Sequence, residues 1–192
     1  TTSDMTQLSL YGEKEIYKDI YLDSMISVSH ASHDSSRNIP AISRSANARF
    51  DSRNYAAKIG VHKSYILDNG FDLTPSFDLK YSNNQVENYA ESGAGSLNLN
   101  VITSDLERLE GSLSLATGYR SDVGQINLGF TKVDPFVIYP SVKIAYDYDF
   151  IGDSQTSISN FSGLDLSFAT RSSSVDRSTV KITAGIETTI CP

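Results

Sequence analysis

Hydrophobic and polar residues alternate along several stretches of the chain, and the longest is residues 136–150, with the sequence FVIYPSVKIAYDYDF. One parity is apolar or aromatic: Phe136, Ile138, Val142, Ile144, Tyr146, Tyr148 and Phe150. The other parity carries polar residues: Ser141, Lys143, Asp147 and Asp149. This period of two predicts a β-strand with one apolar and one polar face. Strands of soluble proteins average about five or six residues, whereas about nine to eleven are needed to cross a bilayer, so the length favours a membrane protein.

Two further stretches repeat the pattern. Residues 71–81 place five large apolar residues on one parity: Phe71, Leu73, Phe77, Leu79 and Tyr81. Residues 180–190 do the same with Val180, Ile182, Ala184 and Ile186, opposite Lys181, Thr183 and Glu187. No stretch approaches the roughly eighteen continuous apolar residues of a membrane helix. If the chain enters a membrane, we therefore expect it to do so as a β-barrel.

Alternation and turn-forming residues together predict about nine strands: 5–11, 17–30, 54–67, 71–82, 95–103, 108–119, 135–150, 156–170 and 179–190. The connections alternate in length, with short ones at 12–16, 68–70, 103–108 and 152–154 between longer ones at 30–53, 82–95, 120–134 and 171–178. Such alternation is typical of an antiparallel up-and-down transmembrane barrel, whose turns are short at the periplasmic rim and longer at the extracellular rim. We accordingly expect an all-β fold in one domain, residues 1–192, whose last strand runs toward the periplasm.

The two parities predict two environments. The apolar parity is expected to face lipid: Phe71, Leu73, Phe77, Leu79, Phe136, Ile138, Val142, Ile144, Tyr146, Val180, Ile182 and Ile186. The polar parity is expected to face water inside the barrel: Asp78, Lys80, Lys143, Asp147, Asp149, Lys181 and Glu187. There these side chains would shape a hydrated pore or contact a tethering helix.

Composition narrows the class only slightly. A mean hydropathy of −0.25 argues against a helical membrane protein and is compatible with a barrel that has a polar lumen. The net charge of −7 disfavours nucleic-acid binding, because phosphate contacts need clustered Lys and Arg. The single cysteine, Cys191, can form no internal disulfide. No charged segment followed by an apolar one opens the sequence, so a signal peptide is expected outside these residues.

Candidate catalytic and metal-binding residues are few. His30, His33 and Asp34 fall in a predicted polar connection without a fixed spacing for all three, so we expect no metal site. Glu87 and Glu91 flank a predicted loop tip, where solvated carboxylates are commoner than an acid and base pair. There is no G-x-S-x-G elbow, and Gly93-Ala94-Gly95 is better interpreted as a turn than as a phosphate loop.

Four arginines surround the connection at 30–53: Arg37, Arg44, Arg49 and Arg53. They could contact lipid phosphates or line the lumen, but a solvated mobile loop is the simpler interpretation. We expect no enzyme activity and no cofactor in this chain.

Several segments carry a family resemblance. Ser9-Leu10-Tyr11-Gly12, residues 73–81 (LTPSFDLKY) and residues 139–148 resemble strands of the C-terminal autotransporter β-domain, the translocator of type V secretion in Gram-negative bacteria. The most specific match is residues 91–101, which begin Glu91-Ser92-Gly93-Ala94-Gly95 and look like the family's E-x-G-A-G segment. The resemblance implies a twelve-strand barrel ending on an aromatic residue, so the nine strands are expected to occupy positions two through ten.

The resemblance implies a function as well. The chain would anchor a passenger domain of the same polypeptide in the outer membrane and provide its route to the cell surface. Its expected partners are outer-membrane lipid, the passenger and the barrel assembly machinery. The alternatives are another outer-membrane barrel, such as a small porin or adhesin, and a soluble β-sandwich interaction module.

Overall fold

The computed structural model describes residues 1–123, 126–127, 132–133, 136–152, 154–172 and 176–190. These described residues form fifteen strands: β1 Thr2–Tyr17, β2 Ile20–Ile39, β3 Arg44–Lys63, β4 Tyr65–Ile66, β5 Phe71–Val86, β6 Tyr89–Ala90, β7 Leu99–Thr103, β8 Leu106–Tyr119, β9 Ser121–Val123, β10 Ile126–Asn127, β11 Lys132–Val133, β12 Phe136–Asp149, β13 Thr156–Phe161, β14 Ser167–Arg171 and β15 Ser178–Ile190. Two 3-10 turns, Pro40–Ile42 and Gly95–Leu97, are the helical segments of this described part. No helix within it is long and apolar enough to span a membrane. The predicted unpaired Cys191 lies outside the described residues.

The main sheet is a meander of long strands in chain order, β1-β2-β3-β5-β8-β12-β15, to which β4 and β9 add short pairs. Every pair along this path is antiparallel. The sheet curls into half of a barrel. The expected all-β, antiparallel up-and-down architecture is therefore confirmed.

Two of the nine predicted strands are wrong as barrel strands. Residues 95–103 contain a 3-10 turn followed by β7, and residues 156–170 contain the hairpin of β13 and β14. These strands form a separate four-stranded sheet in the order β14-β13-β7-β6, which we call the loop sheet. The mistake has a physical reason, because short alternating segments have the same pattern in a soluble hairpin as in a membrane strand.

Two predicted connections are also wrong. The short connection at 12–16 is part of β1, and the turn comes later at Lys18 and Asp19, whose φ angles are 29° and 64°. The long connection at 30–53 is strand almost throughout, since β2 and β3 pair continuously from Ile20 with Lys63 to Ile39 with Arg44. In the outer part of this hairpin one face is polar and the other carries small residues such as Ala31, Ala46 and Ala48, so the alternation of apolar and polar residues is weak although the strands continue.

The turns define two ends of the sheet, which we name rim A and rim B. Rim A carries the turn at 40–43 and the connections 87–105 and 150–177, which include the loop sheet. Rim B carries the turn at 18–19 and the connections 64–70 and 120–135. The last strand, β15, runs from rim A to rim B. The long connection between β8 and β12 thus begins and ends at the rim of the shorter turns, contrary to the expected sorting of connections by length.

An apolar band crosses one face of the main sheet. Cross-strand partners form a continuous row through it: Leu22, Val61, Phe77, Leu113, Tyr146 and Val180. From β2 to β15, the centre of the apolar band shifts toward rim B by roughly one residue per strand relative to the row of cross-strand partners. With about 3.3 Å per residue and about 4.8 Å between strands, this drift corresponds to a strand tilt on the order of 35–40°, the range found in barrels.

Candidate functional site at the polar face and rim A

The face opposite the apolar band carries a network of charges. Asp23, Gly60, Asp78, Ser112 and Asp147 are cross-strand neighbours in one row. The Nζ atom of Lys58 lies 2.8 Å from Asp78 and 3.7 Å from Asp23. The carboxylates of Asp23 and Asp78 lie directly above Gly60, which has no side chain. A Cβ at Gly60 would lie 2.1 Å from Asp23 and 2.3 Å from Asp78.

The residues predicted to face the lumen all share the parity of this charged row. Lys181 lies 2.5 Å from Asp147, and Lys80 lies 3.7 Å from Glu110. Together with Lys58, Asp78 and Ser112, these four side chains line a concavity of about 180 Å³. The remaining predicted members lie farther along the same face: Lys143, Asp149 and Glu187.

Asp149 has a local structural role as well, because its Oδ1 accepts the backbone N–H groups of Ile151 and Gly152 at 3.1 Å each.

The residues predicted to face lipid share the opposite parity. The most exposed of the predicted residues range from 42% for Val142 to 76% for Ile186. Leu73, Leu79, Phe136 and Ile138 are half-buried among their neighbours. The structure therefore separates the two predicted sets onto opposite faces, while the medium that meets each face stays a prediction.

Near rim B, an aromatic side chain lies across a glycine. The Tyr139 hydroxyl donates a hydrogen bond to Asp72 at 2.6 Å, and its ring passes over Gly118 on the way. A Cβ at Gly118 would lie 2.2 Å from this ring. Tyr139, Asp72 and Glu187 contribute to a cavity of about 470 Å³ at this end of the polar face.

At rim A, an ion pair fastens the connection 87–105 to the main sheet. Arg37 on β2 donates from Nε and Nη2 to the two carboxylate oxygens of Glu91, at 3.0 Å and 2.5 Å. Arg37 also donates to the carbonyl of Leu97, and Glu91 accepts the backbone N–H of Leu99 at 2.9 Å. We call this group of contacts the rim clamp.

The rim clamp corrects one expectation from the sequence. Glu91 is not a solvated loop carboxylate, since its side chain is only 10% exposed. Burial raises the pKa of Glu91, but the hydrogen bonds from Arg37 and from the Leu99 backbone outweigh it and hold that pKa below its usual range. Glu91 is therefore built to stay ionised beside Arg37.

The residues after Glu91 complete the attachment. Ser92 and Asn47 exchange two backbone hydrogen bonds of 2.8 Å. Gly93 has φ +103°, and a Cβ there would lie 2.6 Å from the Ser45 carbonyl. Ala94 is 1% exposed and donates its N–H to the side chain of Asn98. Gly95 has φ +65°, so the predicted turn at Gly93-Ala94-Gly95 is confirmed.

The arginines expected in a mobile loop lie instead on or beside paired strands. Arg49 donates to both oxygens of Asp34, at 2.8 Å and 3.1 Å, and Arg53 lies 3.5 Å from Glu87. The hydrogen bond from Arg49 holds the pKa of Asp34 below its usual range. Both pairs are exposed, so each contributes little to stability.

The histidine segment also lies on a strand rather than in a connection. His30 and His33 belong to opposite parities of β2, so their side chains do not converge. His30 lies 3.7 Å from Asp51, whereas His33 bonds to Ser3 and Ser52.

Sequence spacing does not predict the rim clamp, because its arginine and glutamate are 54 positions apart. The sequence signal for this site is the E-x-G-A-G segment that begins at Glu91.

Comparison with known proteins gives one family. The family model described as Autotransporter beta-domain matches residues 1–191. A comparison with curated proteins found no match. The match extends over nearly the whole chain. It includes the β2–β3 hairpin at rim A and the connection that carries the rim clamp. The chain therefore belongs to the autotransporter β-domain family, a family of outer-membrane translocator domains of Gram-negative bacteria.

Proposed function

We propose that this chain anchors a passenger domain of its own polypeptide in the outer membrane and forms part of the wall of the channel by which the passenger reaches the surface. The observation that carries the proposal is the apolar band, which is as tall as a membrane-crossing strand and tilted as barrel strands are. Its side chains remain exposed, and no second sheet of the described residues covers them. This arrangement favours lipid over the interior of a soluble β-sandwich.

Aromatic residues at both edges of the band support a membrane position. On the side toward rim A lie Tyr55, Tyr81 and Tyr148, and toward rim B lie Phe71, Tyr119 and Phe136. Outer-membrane barrels carry such girdles at both membrane interfaces. Beyond the Tyr55 edge, the same face becomes polar, with His30, Arg53 and Asp51 on β2 and β3. The strands thus extend past the membrane at rim A, which we assign to the cell exterior.

The polar face suits a hydrated channel. Its acids and bases pair across neighbouring strands, which leaves water as the natural medium at its surface. In this interpretation the residues predicted to face lipid, such as Phe71 and Ile186, meet lipid. The residues predicted to face the lumen, such as Asp78 and Glu187, meet water or a tethering segment. We assign no catalytic role to this chain, and insertion would require the barrel assembly machinery.

Surface display of the passenger tests the proposal. In the full-length protein, an arginine on the apolar band at Leu115 should leave the passenger inside the cell, where added protease cannot reach it. An arginine at Ser36, on the same face beyond the band, is the matched control and should leave display unchanged. Equal display from both variants would contradict the proposal.

A further inference from the structure

A cavity of about 490 Å³ lies at rim A, between the polar face of the main sheet and the loop sheet. Its walls come from β1, β2, β3 and β5 on one side and from β6, β7 and β13 on the other. The rim clamp holds the loop sheet beside it. Since the cavity lies beyond the apolar band, its ligands would come from outside the membrane.

One wall of the cavity is aromatic. The rings of His33 and Phe50 lie 5.0 Å apart at 27°, and those of Phe50 and Tyr89 lie 4.2 Å apart at 12°. His33 is fixed on both nitrogens, at 2.7 Å from the Ser3 hydroxyl and 2.8 Å from the Ser52 hydroxyl. The wall is thus held rigidly across three strands, and Tyr89 is its contribution from the loop sheet.

The opposite side of the cavity is polar but uncharged. Ser29, Asn54 and Asn84 are neighbours in one cross-strand row, and the cavity is also lined by Ser157 on β13 and by Gln155 just before it. No described residue hydrogen-bonds to the side-chain amides of Asn54 or Asn84. Among the described residues, no lysine, arginine, aspartate or glutamate lines the cavity, in contrast to the charged row nearer the centre of the sheet.

This chemistry eliminates several classes of ligand. A charged ligand would find no counter-charge. An extended peptide could not add as a strand along the polar row, because β2, β3 and β5 already pair on both sides; among the lining strands, only β1 and β6 are at a sheet edge. A purely apolar ligand would leave the amides without partners, at about 1–3 kcal/mol for each buried group. What fits is a neutral molecule with many hydroxyl groups and an apolar ring face, which is the chemistry of a pyranose sugar.

We propose that this cavity binds a neutral oligosaccharide, with one sugar ring against Tyr89 and sugar hydroxyls on the amides of Asn54 and Asn84. The volume lies within the usual range for small-molecule sites, about 300–1,000 Å³, and accommodates about two or three rings. Such sugars occur in lipopolysaccharide of the same membrane and in glycans of other cells. The shared chemistry is the uncharged pyranose, and the site does not depend on passenger transport.

The test uses the full-length protein in lipid nanodiscs. Maltotriose, triacetylchitotriose and N-acetyllactosamine are titrated by calorimetry and by saturation-transfer NMR, up to about 10 mM so that weak binding is detected. A second arm compares nanodiscs containing lipopolysaccharide with sugar chains and nanodiscs containing lipid A alone. Binding of free sugar only in lipid A nanodiscs identifies lipopolysaccharide as the source. Equal binding in both identifies a sugar from outside the membrane, and either result supports the site.

The variants connect binding to the cavity. The double variant Asn54→Ala/Asn84→Ala should weaken binding by at least about tenfold, the equivalent of losing one or two hydrogen bonds. Tyr89→Phe should retain ring stacking and most of the affinity. Asn100→Ala, which removes an equivalent amide from the outward face of the loop sheet, is the matched control and should change nothing. The proposal is overturned if no sugar binds in either arm, or if the double variant binds as well as the natural protein.

Discussion

The apolar band and rim A are built on opposite principles, although the same strands pass through both. Most of the buried apolar residues are in the rim A region: Ala31, Ala46, Ala48, Ala94, Leu99 and Val101. In the band, the large apolar residues are exposed instead, and among the described residues behind the band the one buried apolar side chain is the small Ala145. Rim A therefore has its own small core, whereas the band needs an apolar solvent.

This difference predicts which contacts each region depends on. In the band, stability comes from side chains that meet the surroundings, so substitutions that change polarity should matter most. At rim A, stability comes from specific contacts within the chain, so substitutions that break a pair or a close approach should matter most. Four experiments test whether the stability of the band and the stability of rim A respond independently.

The largest effect is expected for Leu115→Arg in the centre of the band. A cationic side chain on the lipid face near the bilayer midplane costs about 2–4 kcal/mol. Reversible urea unfolding of the full-length protein in lipid vesicles measures the change, and the Ser36→Arg control should differ from the natural protein by less than about 0.5 kcal/mol. A similar loss at both positions would mean that the band does not end where the aromatic residues lie.

Gly118→Ala should cost about 1–3 kcal/mol, because the new methyl group would overlap the Tyr139 ring. Gly185→Ala is the matched control on the same face, where the nearest side-chain atom is the Ser141 hydroxyl at 3.4 Å. Unfolding in vesicles serves again as the measurement. Adding Tyr139→Ala to Gly118→Ala should remove the overlap, and failure of this rescue would refute the steric explanation.

Glu91→Gln should loosen the loop sheet by about 1–2 kcal/mol, because Arg37 loses its charged partner while the shape of the site is kept. The effect should be local. Hydrogen exchange and limited proteolysis should report faster opening of residues 87–105 with little change in strands of the band. Global destabilisation without local opening would mean that rim A and the band unfold as one cooperative unit.

Acid should produce a smaller version of the same loosening. The folded-state pKa of Glu91 is depressed below the ordinary glutamate pKa of 4.5, so its contribution to stability is complete above that pH and is lost as the pH falls through the folded-state pKa. Hydrogen exchange of residues 87–105, corrected for the slower chemical exchange of amides in acid, should therefore show faster opening below about pH 4.5 in the natural protein. In the Glu91→Gln variant this acceleration should be absent, and its persistence would point to another group.

The sequence predicted the band far better than rim A. Around Phe77 and Ile144, alternation is strong because one face must be apolar over its whole height, so strand positions and facing could be predicted to within a few residues. Around Arg49 the residues still alternate, but the buried side of the alternation consists of small residues, Ala46 and Ala48, which are 1% and 9% exposed. Small side chains give a weak hydrophobic signal, so the pattern predicts a loop where the hairpin between 30 and 53 lies.

The clamp lay beyond sequence reasoning for a different reason. The sequence favours a solvated Glu91 because nothing local indicates that Arg37 lies beside it. The β2–β3 hairpin brings the arginine there, and the hydrophobic pattern does not predict that hairpin. Similarly, β7 and β13 alternate like barrel strands but pair with each other. The hydrophobic pattern indicates that a segment is a strand, but tertiary contacts decide which strand it pairs with.

The drift of the apolar band by roughly one residue per strand constrains how the chain can change in length. Deleting one residue within 109–119 would exchange the two faces for the rest of β8, placing apolar side chains among the lumenal charges. Deleting two residues would keep the faces and shift the band by about twice its normal step, a tolerable local mismatch. Related sequences should therefore gain and lose residues in pairs within the band, and in any number between 150 and 177.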